Sequence, residues 1–122
     1  MPPAYIHDVS TNVLRKQAVN PSLLTATVTM TSLDMLQGDG RCWAEVQIGT
    51  FNGTSATLQV SECATTNGTY TDITSASIAA TTGTTIAVVT FDRSLRYLKT
   101  VVTVSGTTIG YACTVNEAYK VI

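Results

Sequence analysis

From Ser22 onward, apolar and polar residues alternate with a period of two, the pattern of half-buried β-strands. Leu24, Ala26, Val28 and Met30 alternate with Thr25, Thr27, Thr29 and Thr31, which predicts a first strand with a threonine outer face. Gln37-Gly38-Asp39-Gly40 interrupts the run, as a turn does. Between Arg41 and Ile48, the residues Cys42, Ala44, Val46 and Ile48 face one way, and Arg41, Trp43, Glu45 and Gln47 face the other. Asn52-Gly53 follows. Both residues tolerate positive φ, so the spacing predicts a tight hairpin there. It leads into a third strand from Ser55 to about Ala64, with Ala56, Leu58 and Val60 inward. Asn67-Gly68 predicts a second turn of this kind, into a short strand around Tyr70 to Ile73. A break at Thr82-Gly83 precedes a strand from Thr85 to Phe91 that carries Ala87, Val89 and Phe91 on one side. Leu95 to Val104 is apolar on both faces, as a central or interface strand is. Ser105-Gly106-Thr107 predicts a further turn. The last strand spans about Thr108 to Val121, with Ile109, Tyr111, Cys113, Val115 and Tyr119 on one side.

About seven strands with a turn signal roughly every 8–12 residues point to an all-β fold: an antiparallel β-sandwich, jelly-roll or Ig-like. Residues 1–21 read differently. Pro2, Pro3 and Pro21 bracket a polar segment without steady periodicity, in which Val13 to Val19 could form one short helical turn. The segment is predicted to be an extended N-terminal arm, of the kind that orders against a partner. Residues 22–122 would then be the sandwich domain. No helix is expected after residue 21, and no internal repeat is present.

A chain of 122 residues has room for one domain. Charged residues make up 12%, about half the usual share of roughly 25%. Threonine and serine take their place, which suits a pleated surface. So little charge also suggests that part of the surface is covered by another molecule. A net charge of -1 with scattered basic residues argues against nucleic-acid binding, which needs clustered Lys and Arg. The one basic cluster, Arg93, Arg96 and Lys99, reads as a solvated or intersubunit strand face. Cys42, Cys63 and Cys113 are odd in number and widely spaced, which is neither a disulfide framework nor a zinc signature. Small buried apolar roles and a reducing compartment are expected instead. The N-terminus lacks the basic region and apolar core of an export signal. No apolar stretch is long enough to cross a bilayer as a helix, so a soluble protein without a membrane partner is expected.

The candidate chemistry is sparse. The single histidine, His7, falls in the arm, a poor place for a rigid Ser-His-Asp or Cys-His site. The carboxylates Asp8, Asp34, Asp39, Glu45, Glu62, Asp72, Asp92 and Glu117 are spread along the chain. Nothing in the sequence pairs two of them as glycoside hydrolysis requires. Gly38-Asp39-Gly40 resembles a fragment of a calcium loop, but one Asp falls short of the roughly six to eight oxygens that calcium takes, so a tight turn is the better reading. Asn52-Gly53-Thr54 and Asn67-Gly68-Thr69 match the glycosylation sequon, and without an export signal they serve turn geometry. No catalytic residue, cofactor or metal is expected, and the chain does not read as an enzyme. Trp43, on the polar face of its strand, has two readings. It covers that face under the arm or a partner subunit, or it is a stacking platform for a sugar ring, with Tyr97, Tyr111 or Tyr119 as companion.

Three strings carry a resemblance: Leu33 through Thr50 with its Gly38-Asp39-Gly40 turn; Ser55-Ala56-Thr57-Leu58-Gln59-Val60 leading to Tyr70-Thr71-Asp72-Ile73; and Phe91-Asp92-Arg93-Ser94-Leu95-Arg96-Tyr97-Leu98-Lys99. Together they resemble small virion proteins from the structural modules of tailed bacteriophages, over most of the chain after residue 30. Where that class tends to carry a second arginine after Arg96-Tyr97-Leu98, this chain has Lys99. The resemblance implies a capsid decoration (cement) protein that binds and stabilises the shell of the major capsid protein. Such a protein would often be a homotrimer whose arm reaches its neighbours, made in the host cytoplasm and resident on the capsid surface of the virion. Tyr5, Ile6, Leu14, Trp43, Arg96 and Tyr97 are the expected interface residues. A minor head or tail component and a carbohydrate-binding module that takes a surface glycan are the alternatives.

Overall fold

The computed structural model describes residues 13–36 and 38–119. The expectations for Tyr5, Ile6 and His7 lie outside the described residues. Seven strands form one antiparallel sheet: β1 (Val13–Leu24), β2 (Val28–Thr29), β3 (Leu33–Asp34), β4 (Gly38–Cys63), β5 (Thr71–Ala80), β6 (Thr85–Asp92) and β7 (Tyr97–Tyr119). No helix occurs among the described residues. The alternation thus leads to the all-β antiparallel architecture it predicts.

The connectivity differs from the expected chain of hairpins. β4 and β7 are single long strands that pair along their whole length, from Gly38↔Tyr119 to Cys63↔Tyr97. The first half of β4 also pairs with β6 and the second half with β5. The second half of β7 pairs with β1, and its first half with β2 and β3. One sheet therefore folds over into two layers, β6-β4-β7-β1 and β5-β4-β7-β2/β3, with β4 and β7 shared by both. The core lies between the layers. Ala44, Val46, Leu58, Val60, Leu98, Val102, Ile109 and Val115 are all 0% exposed.

Asn52-Gly53 and Ser105-Gly106 are accordingly not hairpin turns. They lie opposite each other inside β4 and β7, with Asn52 paired to Thr108 and Gly53 to Gly106. The register slips at several points between Ile48 and Ser55, where both strands bend from one layer to the other. Here two glycines touch. A Cβ on Gly106 would lie 2.1 Å from the Gly53 Cα, and Gly106 itself sits at φ +135. Glycine in a strand interior commonly marks such a corner or close backbone approach. The apolar phase also rejects a two-residue hairpin at 52–53. Such a turn would set Ile48 opposite Thr57 and Val46 opposite Gln59, placing buried and outward residues on the same face. By contrast, Asn67-Gly68 does lie in the connection between β4 and β5, and Thr82-Gly83 in that between β5 and β6.

Two further expectations are corrected. Val13 to Val19 is strand, not helical turn. β1 runs across the boundary expected at residue 21 and pairs with β7 from Val13↔Ala118 to Leu24↔Ile109. Its apolar residues Leu14, Ala18 and Val19 complete the core, so tertiary burial overrides weak local periodicity. The expected single strand from Leu24 to Met30 is broken after Leu24 and resumes as β2, because this chain segment must cross the same corner as β7.

At the end opposite the corner, a buried polar clasp ties the layers together. Glu117 on β7 is 0% exposed. Its Oε2 accepts the Arg93 Nε at 2.9 Å, the Gly40 N–H at 2.7 Å and the Cys42 thiol at 3.3 Å. The Arg93 guanidinium also donates to the carbonyls of Met35 and Leu95. Nearby, Glu62 accepts the N–H groups of Ser94 and Leu95 at 2.9 and 3.0 Å. The segments joining β3 to β4 and β6 to β7 are thereby fixed to the ends of the two long strands.

Candidate interaction surface

The outer face of the β6-β4-β7-β1 layer is built by the residues that alternate with the core. On β6 these are Ile86, Val88 and Thr90, opposite Gln47, Glu45 and Trp43 of β4. Ala112 and Thr114 of β7 continue the face to Gln17 and Leu23 of β1. Three aliphatic side chains stand in the open: Ile86 is 66% exposed, Leu23 65% and Val88 57%. Covering one such side chain fully is worth about 1.5–3 kcal/mol, so the face gains free energy when a partner shields it.

The edges of the layers differ in a telling way. β1 carries Arg15, Lys16 and Pro21 and is broken by register shifts, devices that discourage strand addition. β5 has a register shift opposite Gln59 and Ser61. There the Gln59 amide donates to the carbonyls of Ile73 and Ala76. β6 has none of these guards. It pairs with β4 without a shift from Arg41↔Asp92 to Ile48↔Thr85, and it holds neither charge nor proline from Thr85 through Phe91. Its other edge has no strand partner among the described residues. A regular, apolar, uncharged edge is a template for pairing with another chain. Sequence reasoning overlooked Ile86 and Val88. The signal lies in the strand from Thr85 to Phe91 itself, where Ile86 and Val88 make the face opposite Ala87, Val89 and Phe91 apolar as well.

The expected interface residues scatter. Leu14 is 7% exposed and belongs to the core, so within the single chain it is a packing residue. Trp43 is half-buried on the outer face of β4. Tyr97 projects from the opposite layer, next to the inward Leu98. Tyr111 is 2% exposed inside the core, where burial pushes its hydroxyl above the ordinary phenol range. Trp43 and these two tyrosines therefore do not form a common aromatic platform. The Tyr119 side chain lies outside the described residues.

Arg96 is partly exposed and makes a two-pronged ion pair with Asp34, at 2.9 and 2.8 Å. Its guanidinium also lies 5.0 Å from the centre of the Tyr97 ring. The hydrogen bond from Arg96 is the largest cause that lowers the Asp34 carboxyl to about 2. A carboxyl with a depressed folded pKa stabilises the fold above its unfolded pKa of roughly 4, and loses that contribution as pH falls through the folded value. The contribution of Asp34 is therefore complete at neutral pH and fades between about 4 and 2. A carbon-detected NMR titration of Asp34 should give a midpoint near 2, returning to the ordinary carboxylate range in Arg96→Ala. An ordinary midpoint in the parent chain would contradict this pairing.

Cys42, Cys63 and Cys113 are buried, in line with their expected packing role. Burial pushes the Cys113 thiol up to about 12, which keeps it unreactive. Among the described residues no cluster of His, Cys, Asp and Glu could hold a metal ion.

No family model matches the chain, and no curated protein does. Solved structures do share its fold. The PBSX exported protein XepA matches with a TM-score of 0.66 and 13% identity, over 89% of this chain and 38% of that one. A structure of infectious bursal disease virus, Gx strain, matches at 0.54 and 12% identity, over 88% of this chain and 32% of that one. PirA matches at 0.50 and 14% identity, over 94% of this chain and 100% of that one. The chain thus spans well under half the length of XepA and of the viral chain. At such identities the likeness concerns the fold alone: an antiparallel β-sandwich that also occurs as part of larger proteins.

Proposed function

We propose that this chain is a virion structural protein of the capsid decoration type, which binds and stabilises the shell of the major capsid protein from its outer surface. The observation that carries this reading is the β6 edge with its exposed Ile86 and Val88: regular, uncharged and without a second strand partner among the described residues. A protein that works alone in solution blunts such an edge. One that works in an assembly uses it. The low charge fits the same reading, since a surface packed against a shell needs little of it for solubility. Two of the fold relatives are a PBSX exported protein and a virus structure, which supports a viral setting. The work is then done by surfaces and not by catalysis, with neighbouring copies in a homotrimer and the major capsid protein as partners.

The test is assembly. The protein should co-sediment with expanded capsids of its virus and give a trimer mass by light scattering. Val88→Lys places a charge on the β6 face. It should abolish capsid binding while changing stability by no more than about 0.5 kcal/mol, as expected of an exposed position. A monomer that ignores capsids would overturn the proposal, as would a Val88→Lys variant that binds them unchanged.

A further inference from the structure

Where β6 ends, the outer face changes character. Trp43 lies opposite Thr90, and Arg41 opposite Asp92, in successive outward pairs of β4 and β6. Outward pairs follow one another about 7 Å apart along a strand, and directly opposed Cβ atoms lie about 5 Å apart. These four side chains therefore frame a patch on the scale of one pyranose ring. The patch borders a groove of about 530 Å³ whose lining also includes Phe91 of β6 and Ser75 of β5. Ser75 lies within the register shift of β5. That irregularity, held by Gln59, is what brings a hydroxyl from the second layer to the groove.

We infer that this groove is a binding site for a sugar ring. A pyranose has an apolar C–H face and a rim of hydroxyls. The half-buried indole of Trp43 offers a flat apolar surface for the first. For the second, the Asp92 carboxylate accepts from adjacent hydroxyls, and the Thr90 and Ser75 hydroxyls both donate and accept. Asp92 is exposed, and its carboxylate makes no ion pair or side-chain hydrogen bond among the described residues. It is therefore available to a ligand without breaking the fold. No tyrosine companion is needed, because the polar rim takes the place of a second ring. The inference is independent of capsid binding: Ile86 and Val88 lie further along β6, toward the corner.

Trp43 is the only tryptophan, so its fluorescence reports the groove directly. The chain is titrated into the millimolar range with the methyl glycosides of glucose, galactose, mannose and N-acetylglucosamine, and with AMP as the nucleotide control. At least one glycoside should give a saturable change in emission. Asp92→Ala should weaken it about tenfold or more, Ser75→Ala should weaken it less, and Val88→Lys should leave it intact. Trp43→Ala, followed by calorimetry, should abolish sugar binding, and Trp43→Phe, which keeps a smaller ring, should weaken it and covers the case in which the alanine variant fails to fold. The inference fails if no glycoside perturbs Trp43, if only AMP does, or if the response survives Asp92→Ala unchanged. Loss of sugar binding with capsid binding retained would leave the assembly role standing, and the reverse result would leave the groove standing.

Discussion

Glu117→Ala is expected to destabilise the chain by about 3–5 kcal/mol, the range for removing one member of a buried ion pair. The cost arises mainly from what is left behind. The Arg93 side chain, 10% exposed, loses the Glu117 counter-charge, and the Gly40 N–H and Cys42 thiol lose the Glu117 acceptor. Because the clasp joins two inter-layer connections at the open end of the fold, those segments should also gain hydrogen-exchange rate before global unfolding. Arg93→Ala should cost a similar amount by stranding the Glu117 carboxylate. The two losses will not add, since both variants break the same pair. A double-mutant cycle read by urea denaturation should return a coupling of about 1–3 kcal/mol. Additive losses would mean that the pair does not act as a unit.

Gly106→Ala should lower stability by about 2–4 kcal/mol. Two costs combine. An L residue is strained at φ +135, and the new Cβ would meet the Gly53 Cα at 2.1 Å and the Asn52 carbonyl oxygen at 3.0 Å. These are backbone atoms, so no side chain can swing aside. Gly49→Ala is the matched control on the same corner. A Cβ there meets nothing within 4 Å, and glycine in a strand is itself unfavourable by roughly 0.5–1 kcal/mol relative to alanine. That variant should be neutral or slightly stabilising. Thermal melts of the two variants decide the matter. Equal effects would refute the idea that the corner depends on the approach of β4 and β7 at Gly53 and Gly106.

Much of the inner surface could be read from the chain alone. Cys42, Ala44, Val46 and Ile48, then Ala56, Leu58 and Val60, were expected on one apolar side, and all are buried. The same holds for Ile109, Tyr111, Cys113 and Val115 on the last strand. Period-two alternation determines which residues turn inward wherever one face of a sheet is buried. The Asn67-Gly68 and Thr82-Gly83 breaks were also placed correctly, because glycine between strands supplies a turn at low conformational cost.

What the alternation could not decide is what a glycine within it does. Asn52-Gly53 in a turn and Asn52-Gly53 in a bend need the same conformational freedom. The difference rests on Gly106, more than fifty residues away in sequence, meeting Gly53 across the corner. The surface was harder still to read. Trp43 was visible as an outward residue, but its neighbours Thr90, Asp92 and Ser75 arrive from two other strands, and the tyrosines expected beside it are elsewhere. Local period alone thus marks an antiparallel sandwich and the residues of its regular strands that turn inward. The folded chain adds that one sheet folds over on two long strands, that Arg93 and Glu117 close its open end, and that β6 is the edge without a second strand partner among the described residues. Each of these depends on which strand lies beside which, a matter of non-local pairing that no local pattern encodes.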